Sequence, residues 1–351
     1  MASFSIPNIK IAGISACTPK NKESNLDYDW ISKQEQQLLI KTTGIENRRI
    51  VNDGKTTSDL CYAACKQLLS ELKWNTEEIG ILIFISQSRD YFLPATAIIL
   101  QDRLKLPTST IAFDISLGCS GYVYGLSVIS SLMNTTQTKK ALLMVGDVSS
   151  FSLNKRDKST YPLFGDAGTV TALELDKGAQ PMNFALNSDG SGYDTIIIPD
   201  GGVRNPLTNE SYIEKEIEKG IWRSNRNLKL DGLNVFNFSI TKVHPQIEKL
   251  FNECGKNLSD IDYFVFHQAN KLIIETIRKK LKIEANKVPY SLKDYGNTSS
   301  ASIPLTIVTE LKNKVISNKL SMLFCGFGVG LSWGSVILET NHIVCPDLIE
   351  L

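Results

Sequence analysis

The sequence predicts an α/β protein in which helices cover a mostly buried β-sheet on both of its faces. Short apolar runs rich in β-branched residues alternate along the chain with segments of helical periodicity. Runs such as 141–145 and 263–266 are apolar at every position, which indicates strands that are buried on both faces. A chain of 351 residues exceeds the size at which one core stops growing, about 250–300 residues, so two domains or two halves of one unit are expected.

The first group of elements precedes the middle of the chain. Leucine and alanine recur at helical spacing in 57–73, and a β-branched apolar run follows at 79–86. The apolar run 111–117 ends at Gly118, and a helix begins at once. By the same criteria, helices are predicted at 57–73, 95–104 and 119–133, and strands at 79–86, 111–117, 140–146 and 168–174.

The second group begins near the middle of the chain. Helices are predicted at 236–254, 270–282 and 301–314, and strands at 194–198, 262–266, 320–325 and 333–339. Gly, Pro and Asn clusters in 199–232 indicate a loop, followed by a short charged helix within 210–229. This insertion is either a lid or a solvated segment without function. Residues 341–351 are expected to form a short tail.

Charge and composition restrict the function classes. Thirty-eight basic side chains balance 37 acidic ones, so neither a nucleic acid nor a membrane surface is expected as a partner. No apolar run reaches the roughly 18–20 residues of a membrane span. Seven cysteines form an odd set, and the N-terminus has no secretory pattern, so we expect a reducing cytoplasm. The Cys and His residues are not arranged at metal-ligand spacing, so no metal site is predicted.

Cys119 is the first candidate for chemistry. It lies in DISLGCSGYVYGL, where a strand is followed immediately by a helix. The positive end of the helix dipole and its unpaired N–H groups favour a thiolate there and can hold a developing oxyanion. The alternative is an inert, buried structural cysteine.

His267 is the second candidate. It closes the apolar strand in DYFVFHQAN, and ligands of α/β sheets gather at the carboxyl ends of strands. A histidine that only caps or fills the core is the alternative interpretation.

Asn297 is the third candidate, in DYGNTSSASIPL. Gly296 permits a tight turn, and Asn297, Thr298 or Ser299 can cap the following helix, so capping alone also explains the asparagine. Each of the three candidates lies where a strand or turn meets a helix, and this shared placement favours a joint catalytic role.

A glycine-rich turn at 326–335, GFGVGLSWGS, lies between two apolar strands. Its backbone N–H groups can approach a ligand closely because Gly328 and Gly330 carry no side chain. The turn lacks the strand, GxGxxG and helix order of a dinucleotide site, which disfavours a Rossmann-type protein.

Six segments together resemble the β-ketoacyl-acyl carrier protein synthase III family of the thiolase superfamily, in order and approximate spacing, over about residues 8–340. They are GCSGYVYGL, FGDAG, NSDGSG, FHQAN, YGNTSSASIPL and FGVGLSWGS. The resemblance implies a thiolase-like fold in which two similar αβαβα halves, about 1–180 and 181–340, form a five-layered structure. The insertion at about 200–230 falls in the second half. Members of the family usually assemble as homodimers.

The resemblance also implies roles for the candidate residues. Cys119 accepts an acyl group from acyl-CoA or an acyl-carrier thioester, and the N–H groups of Cys119 and Val329 form an oxyanion hole. His267 and Asn297 stabilise the enolate formed when a malonyl thioester on acyl carrier protein loses CO2. The product is a β-ketoacyl thioester, and no metal or redox cofactor is implied.

Several substrate-binding positions depart from the pattern of the family. Leu38 and Phe151 stand where members that use acetyl-CoA hold a Trp and an Arg that stack on adenine. Leu93 stands where a bulky Phe from the partner subunit usually closes the acyl pocket. These changes and segment 210–229 suggest a different acyl pocket and a specialised paralogue. The resemblance places further substrate-binding residues at Phe164, Asn270, Gly328 and Gly330.

Three other functions remain open on the sequence. The chain could pass the acyl group to an oxygen, nitrogen or aryl nucleophile without decarboxylation, although such enzymes would be expected to lose the His/Asn pair. A papain-like cysteine hydrolase has the same chain order of Cys, His and Asn, but its local signature around the cysteine is absent. A non-catalytic scaffold subunit is disfavoured by the intact Cys119.

Overall fold

The computed structural model describes residues 2–351, in which two mixed β-sheets alternate with layers of helices. The helices are α1 (Lys33–Thr43), α2 (Thr57–Leu72), α3 (Thr96–Arg103), α4 (Gly121–Thr136), α5 (Gly232–Phe238), α6 (His244–Cys254), α7 (Lys271–Lys280), α8 (Leu292–Tyr295), α9 (Ser302–Glu310) and α10 (Lys312–Ser317). The longer strands are β1 (Ala2–Ile6), β2 (Ile9–Thr18), β5 (Ile79–Ile85), β6 (Ile111–Ile115), β7 (Lys140–Asp147), β8 (Ala167–Leu175), β9 (Met182–Ser188), β14 (Tyr263–Phe266), β15 (Lys319–Gly328) and β16 (Ser332–Asn341). Short strands complete the set: β3 (Lys22–Ser24), β4 (Asn47–Arg49), β10 (Ile196–Ile197), β11 (Lys215–Glu218), β12 (Ile221–Arg223), β13 (Lys229–Leu230) and β17 (Ile349–Glu350).

The two large sheets repeat one strand order. The six-stranded sheet runs β17-β2-β8-β7-β5-β6, and the five-stranded sheet runs β1-β9-β16-β15-β14. Both sheets contain a parallel pair, β5 with β7 and β14 with β15. Next to it lie two antiparallel pairings, β7 with β8 and β8 with β2 in the first sheet, and β15 with β16 and β16 with β9 in the second. This repetition supports a division of the chain near residue 180, which stays a prediction. The terminal strands cross that division, because β1 joins the second sheet and β17 joins the first.

Helices form three layers around these sheets. Helices α4 and α9 lie between the sheets and contact strands of both, while α2 and α3 cover the outer face of the six-stranded sheet. Helix α6 packs on the outer face of the five-stranded sheet, against β9 and β16. The central core between the sheets includes Tyr122, Phe184 and Phe324, all fully buried. The predicted α/β class with helices on both faces of buried strands is therefore confirmed.

The insertion contains a β-hairpin where a charged helix was predicted, so that prediction was wrong. Within 210–229, β11 and β12 pair antiparallel, and Gly220 takes a positive φ of 76° in the turn between them. The hairpin extends onto a neighbouring segment, because Ile221 forms a β-bridge with Asp157 and the N–H of Trp222 donates to the Arg156 carbonyl at 3.3 Å. Backbone pairing with the segment around Asp157, distant in sequence, thus favours the hairpin. The local charge pattern carries no information about this pairing.

The expected tail at 341–351 is a packed part of the first sheet, which corrects that expectation. Strand β17 pairs in parallel with β2, and the N–H of Ile14 donates to the Val344 carbonyl at 2.9 Å. Ile343 and Cys345 are buried. The C-terminal residues therefore complete the six-stranded sheet and contribute to the core between the two sheets.

Candidate active site

Cys119 lies in the turn between β6 and α4, one residue before the N-cap Ser120. Its side chain is buried, and the backbone N–H groups of Val329 and Cys119 and the hydroxyl of Ser299 contact the sulfur. Burial raises the pKa of the thiol to about 11, and these three donors offset only part of that effect. Desolvation by the surrounding elements therefore opposes the thiolate that the helix N-terminus favours.

The glycine-rich turn reaches the sulfur because of Gly328. This residue has a φ of 152°, and a methyl group on it would lie 2.8 Å from Cys119 Sγ. Glycine accommodates both the conformation and the close approach. The turn thereby brings the Val329 N–H to the nucleophile, as an oxyanion hole requires.

His267 follows β14 directly, and the imidazole is buried. Nδ1 lies 2.8 Å from Ser302 Oγ, which accepts the Gln268 N–H at 3.3 Å. In the tautomer that carries its hydrogen on Nε2, Nδ1 accepts the Ser302 hydroxyl hydrogen and Nε2–H remains a donor. Burial lowers the pKa of His267 to about 3, a shift that its hydrogen bond to the Ser299 carbonyl only partly opposes. The imidazole is thus a neutral hydrogen-bond donor at physiological pH.

Asn297 lies in a turn between α8 and α9 and is held through its backbone on both sides. Its N–H donates to the Leu163 carbonyl at 2.8 Å, and its carbonyl accepts the Gly165 N–H at 3.0 Å. The side-chain Oδ1 accepts the Ser299 N–H at 2.9 Å. With Oδ1 occupied in this way, the amide presents Nδ2 as a donor.

Ser299 connects the three predicted catalytic side chains. Its N–H binds Asn297, its carbonyl accepts from His267, and its hydroxyl contacts the Cys119 sulfur. A nucleophile, a neutral imidazole and an amide donor therefore meet around one residue. Such an arrangement can form an acyl-enzyme and stabilise a second oxyanion or enolate beside it.

Comparison with known proteins agrees with this geometry. Models of the 3-oxoacyl-[acyl-carrier-protein] synthase III family match residues 113–190, and those of its C-terminal region match residues 251–340. The β-ketoacyl-[acyl-carrier-protein] synthase III of Clostridium acetobutylicum is 32% identical over 95% of this chain and 98% of its own length. That of Caldanaerobacter subterraneus is 31% identical over 94% and 97%. The crystal structure of a 3-oxoacyl-(acyl-carrier protein) synthase from Burkholderia xenovorans superposes with a TM-score of 0.93 at 38% identity, over 100% of this chain and 99% of that one.

The chain belongs to the β-ketoacyl-acyl carrier protein synthase III family. It is accordingly a condensing acyltransferase, and the thiolase-like fold implied by the sequence resemblance is confirmed. The two matched regions contain Cys119 in the first and both His267 and Asn297 in the second.

We call Cys119, His267 and Asn297 the trio. Some of the predicted substrate-binding residues of this synthase III chain lie beside these three side chains. Phe164 is buried and forms a β-bridge with Asn297. Gly328 touches the sulfur as described. Gly330 follows in the same turn, where a methyl group would lie 3.0 Å from the Ser332 nitrogen.

Other predicted substrate-binding residues lie at the surface or have a local structural partner. Leu38 on α1 is 63% exposed, and Leu93 in the loop between β5 and α3 is 86% exposed. Phe151 is 75% exposed, with the Arg226 guanidinium 5.6 Å from its ring centroid. Asn270 caps α7, because its Oδ1 accepts the Ile273 N–H at 2.9 Å. Their substrate-binding roles stay predictions.

Sequence reasoning missed the polar residues that hold the trio. Ser302 orients His267, Ser299 joins all three side chains, and Asp147 is buried behind them at the end of β7. The run of hydroxyls in NTSSAS and the charged residue that ends an apolar strand in VGD were the available signals.

Two further findings concern metals and membranes. Across residues 2–351, no cluster of three or more His, Cys, Asp or Glu side chains is placed to hold a metal ion. In the same part of the chain, none of the helices has the length and apolar character needed to cross a bilayer.

Proposed function

We propose that this chain transfers an acyl group from a thioester to Cys119 and then condenses it with a malonyl thioester on acyl carrier protein. The observation that carries the proposal is the meeting of the Cys119 sulfur, the neutral His267 imidazole and the Asn297 amide around Ser299. The relatives are named for synthesis of β-ketoacyl or 3-oxoacyl chains on acyl carrier protein, which supports the same assignment here.

In the first half-reaction, the Cys119 sulfur attacks the thioester carbonyl carbon. The carbonyl oxygen becomes an oxyanion that accepts hydrogen bonds from the N–H groups of Cys119 and Val329. Collapse of this intermediate breaks the bond to the donor thiol, which leaves with the proton that Cys119 has lost. Because burial raises the pKa of the resting thiol, we expect loss of that proton to accompany thioester binding.

In the second half-reaction, the malonyl group loses CO2 and its bonding electron pair becomes an enolate. The enolate oxygen accepts hydrogen bonds from Asn297 Nδ2–H and from His267 Nε2–H, which exchanges the Ser299 carbonyl for the enolate. Its carbon attacks the acyl carbon on Cys119, and the Cys119 thiolate is expelled and takes up a proton. Two neutral donors suit this step because the enolate is stabilised without a buried cation that would need its own counter-charge.

The main alternative is acyl transfer to an oxygen, nitrogen or aryl nucleophile without decarboxylation. Such a transfer needs the acyl-enzyme and the first oxyanion hole but no enolate site. The buried, oriented pair of His267 and Asn297 favours condensation over this alternative.

We further propose that the chain is a specialised paralogue with an acyl donor other than acetyl-CoA. Leu38 and Phe151, both mostly exposed, replace the stacking pair of acetyl-CoA-dependent relatives, and Arg226 from the insertion lies over Phe151. These two positions thus differ in charge and shape from the pattern of those relatives.

The direct test is turnover of the purified chain with a panel of acyl-CoA and acyl-carrier thioesters together with malonyl-acyl carrier protein. We expect a β-ketoacyl-carrier product, with a preferred donor that supports at least about tenfold faster turnover than acetyl-CoA. Mass spectrometry of the carrier measures the product directly. Acyl transfer without CO2 release would contradict condensation, and efficient use of acetyl-CoA would contradict the specialised role alone.

A homodimer is the assembly that we propose. Strand β6 lies at an open edge of the six-stranded sheet, with Ile111 40% exposed. The nearby loop exposes three consecutive large apolar side chains, Tyr91, Phe92 and Leu93. An apolar patch beside an unpaired strand edge favours association, and a second copy of the same edge would cover it.

A free Cys119 thiol also suits the reducing cytoplasm proposed for the chain.

Light scattering coupled to gel filtration tests the dimer. We expect wild type to elute at twice the chain mass, and Ile111→Lys to weaken the dimer at least about tenfold because a charge would be buried at the edge. Leu233→Lys, on α5 and 70% exposed, is the matched control and should remain dimeric. A monomeric wild type at micromolar concentration would contradict the proposal.

A further inference from the structure

Asp147 is a buried carboxylate that the mechanism above does not use. It ends β7 and is 2% exposed. It accepts the Gln87 N–H at 2.7 Å, the Ser300 hydroxyl at 3.0 Å and the Ser86 hydroxyl at 3.1 Å. A buried carboxylate is costly unless several donors satisfy it. These donors tie the end of β7 both to the loop after β5 and to the turn that precedes α9.

The turn that Asp147 holds is the one on which the catalytic side chains meet. Ser299, the neighbour of Ser300, has a φ of 51°, in the left-handed region that non-glycine residues rarely adopt. Such a conformation persists only when the surrounding structure enforces it. The Ser299 hydroxyl also contacts the Asp147 carboxylate, while its backbone contacts Asn297 and His267.

The loop after β5 supports the same region from the other side. The side chain of Gln87 packs against Gly118, where a methyl group would come within 2.4 Å of Gln87 Oε1. The Gln87 N–H is one of the donors to Asp147. Asp147 therefore connects the residue before Cys119 with the turn that binds His267 and Asn297.

We propose that Asp147 is a positioning residue. It holds Ser299 in its left-handed conformation through Ser300 and thereby keeps the side chains of Cys119, His267 and Asn297 at fixed positions relative to one another. The inference rests on the proposed function for its kinetic consequence. Small displacements of reacting groups cost large factors in rate, so loss of this support should lower kcat more than it changes substrate binding.

The charge of Asp147 has a second, measurable consequence. The titratable groups that face it are the thiols of Cys61 on α2 and Cys119 before α4, and His267 lies beyond the Ser299 turn. Burial is the main cause of the raised pKa of Cys119, and the Asp147 charge raises it further. Removal of the charge should therefore make the thiolate easier to form.

The test compares Asp147→Asn with wild type in two assays. We expect kcat for condensation to fall about tenfold or more, with KM for the acyl donor within about twofold. We also expect iodoacetamide to alkylate Cys119 faster at pH 8, as measured by intact-protein mass spectrometry, because loss of the Asp147 charge lowers the pKa of the thiol. An unchanged kcat or an unchanged alkylation rate would overturn the proposal.

Ser300→Ala separates the positioning effect of Asp147 on the Ser299 turn from the effect of its negative charge on Cys119. It remains informative if Asp147→Asn does not fold. It removes one donor to the carboxylate but keeps the charge, so kcat should fall several-fold while the alkylation rate stays at the wild-type value. Wild-type kcat in this variant would also overturn the proposal. Asp231→Asn, which alters a carboxylate that caps α5 by accepting the Asn234 N–H at 3.0 Å, is the matched control and should change neither assay.

Failure of this inference can be distinguished from failure of the proposed function. If the function is wrong, wild type itself gives no condensation product with any thioester, while the alkylation assay still reports on Asp147 because it needs no substrate. If the positioning role is wrong, wild type condenses and the variants match it.

Discussion

Replacement of Cys119 by alanine is expected to abolish both acyl-enzyme formation and condensation, with a fall in turnover of at least about 10³-fold. The physical reason is that the sulfur forms the covalent intermediate, and the Ser120 hydroxyl beside it pairs with the Ser332 hydroxyl rather than with a base. Intact-protein mass spectrometry after incubation with acyl thioesters measures the adduct, and product formation measures turnover.

The control for this experiment is a second cysteine outside the site. Cys254, at the end of α6, is half-buried and does not contact the trio, so Cys254→Ala should acylate like wild type. An adduct that survives in Cys119→Ala would contradict the assignment of the nucleophile. No adduct in wild type with any donor would favour the scaffold alternative.

Loss of either enolate donor is expected to separate the two half-reactions. His267→Ala and Asn297→Ala should each lower condensation by about 10²–10³-fold, the usual effect of removing one oxyanion donor, while acylation of Cys119 stays within about tenfold of wild type. The reason is that both side chains face the site as neutral donors, whereas the oxyanion of the first step is held by backbone N–H groups. Single-turnover measurement of acylation and of condensation separates the two effects.

Two further histidine variants sharpen this prediction. His267→Gln retains an N–H donor and should recover part of the condensation lost in His267→Ala. His244→Ala, at the start of α6, is the control and should leave both half-reactions intact. If product formation survived in both His267→Ala and Asn297→Ala, the reaction would not depend on an enolate held by these two donors. Acyl transfer without decarboxylation would then become the better assignment.

The sequence was sufficient to predict the α/β layers because hydrophobic periodicity is a local property. The strands 79–86 and 140–146 and the helix 57–73 were predicted within two residues of β5, β7 and α2. The positions of Cys119, His267 and Asn297 at junctions of elements were also visible, because each junction carries its own turn or strand-end signal. Elements defined by partners distant in the chain were missed, among them β17 and the hairpin of β11 and β12.

The candidate site shows the same division between local and tertiary information. Sequence alone predicted Cys119 as a nucleophile and His267 and Asn297 as its polar partners, and it located the glycine-rich turn. Only the packing of the two sheets decided that these groups meet at Ser299, and that Asp147 lies buried behind them. The same holds for the pKa of Cys119: the local helix terminus favours the thiolate, whereas burial by segments distant in sequence raises the pKa of the thiol.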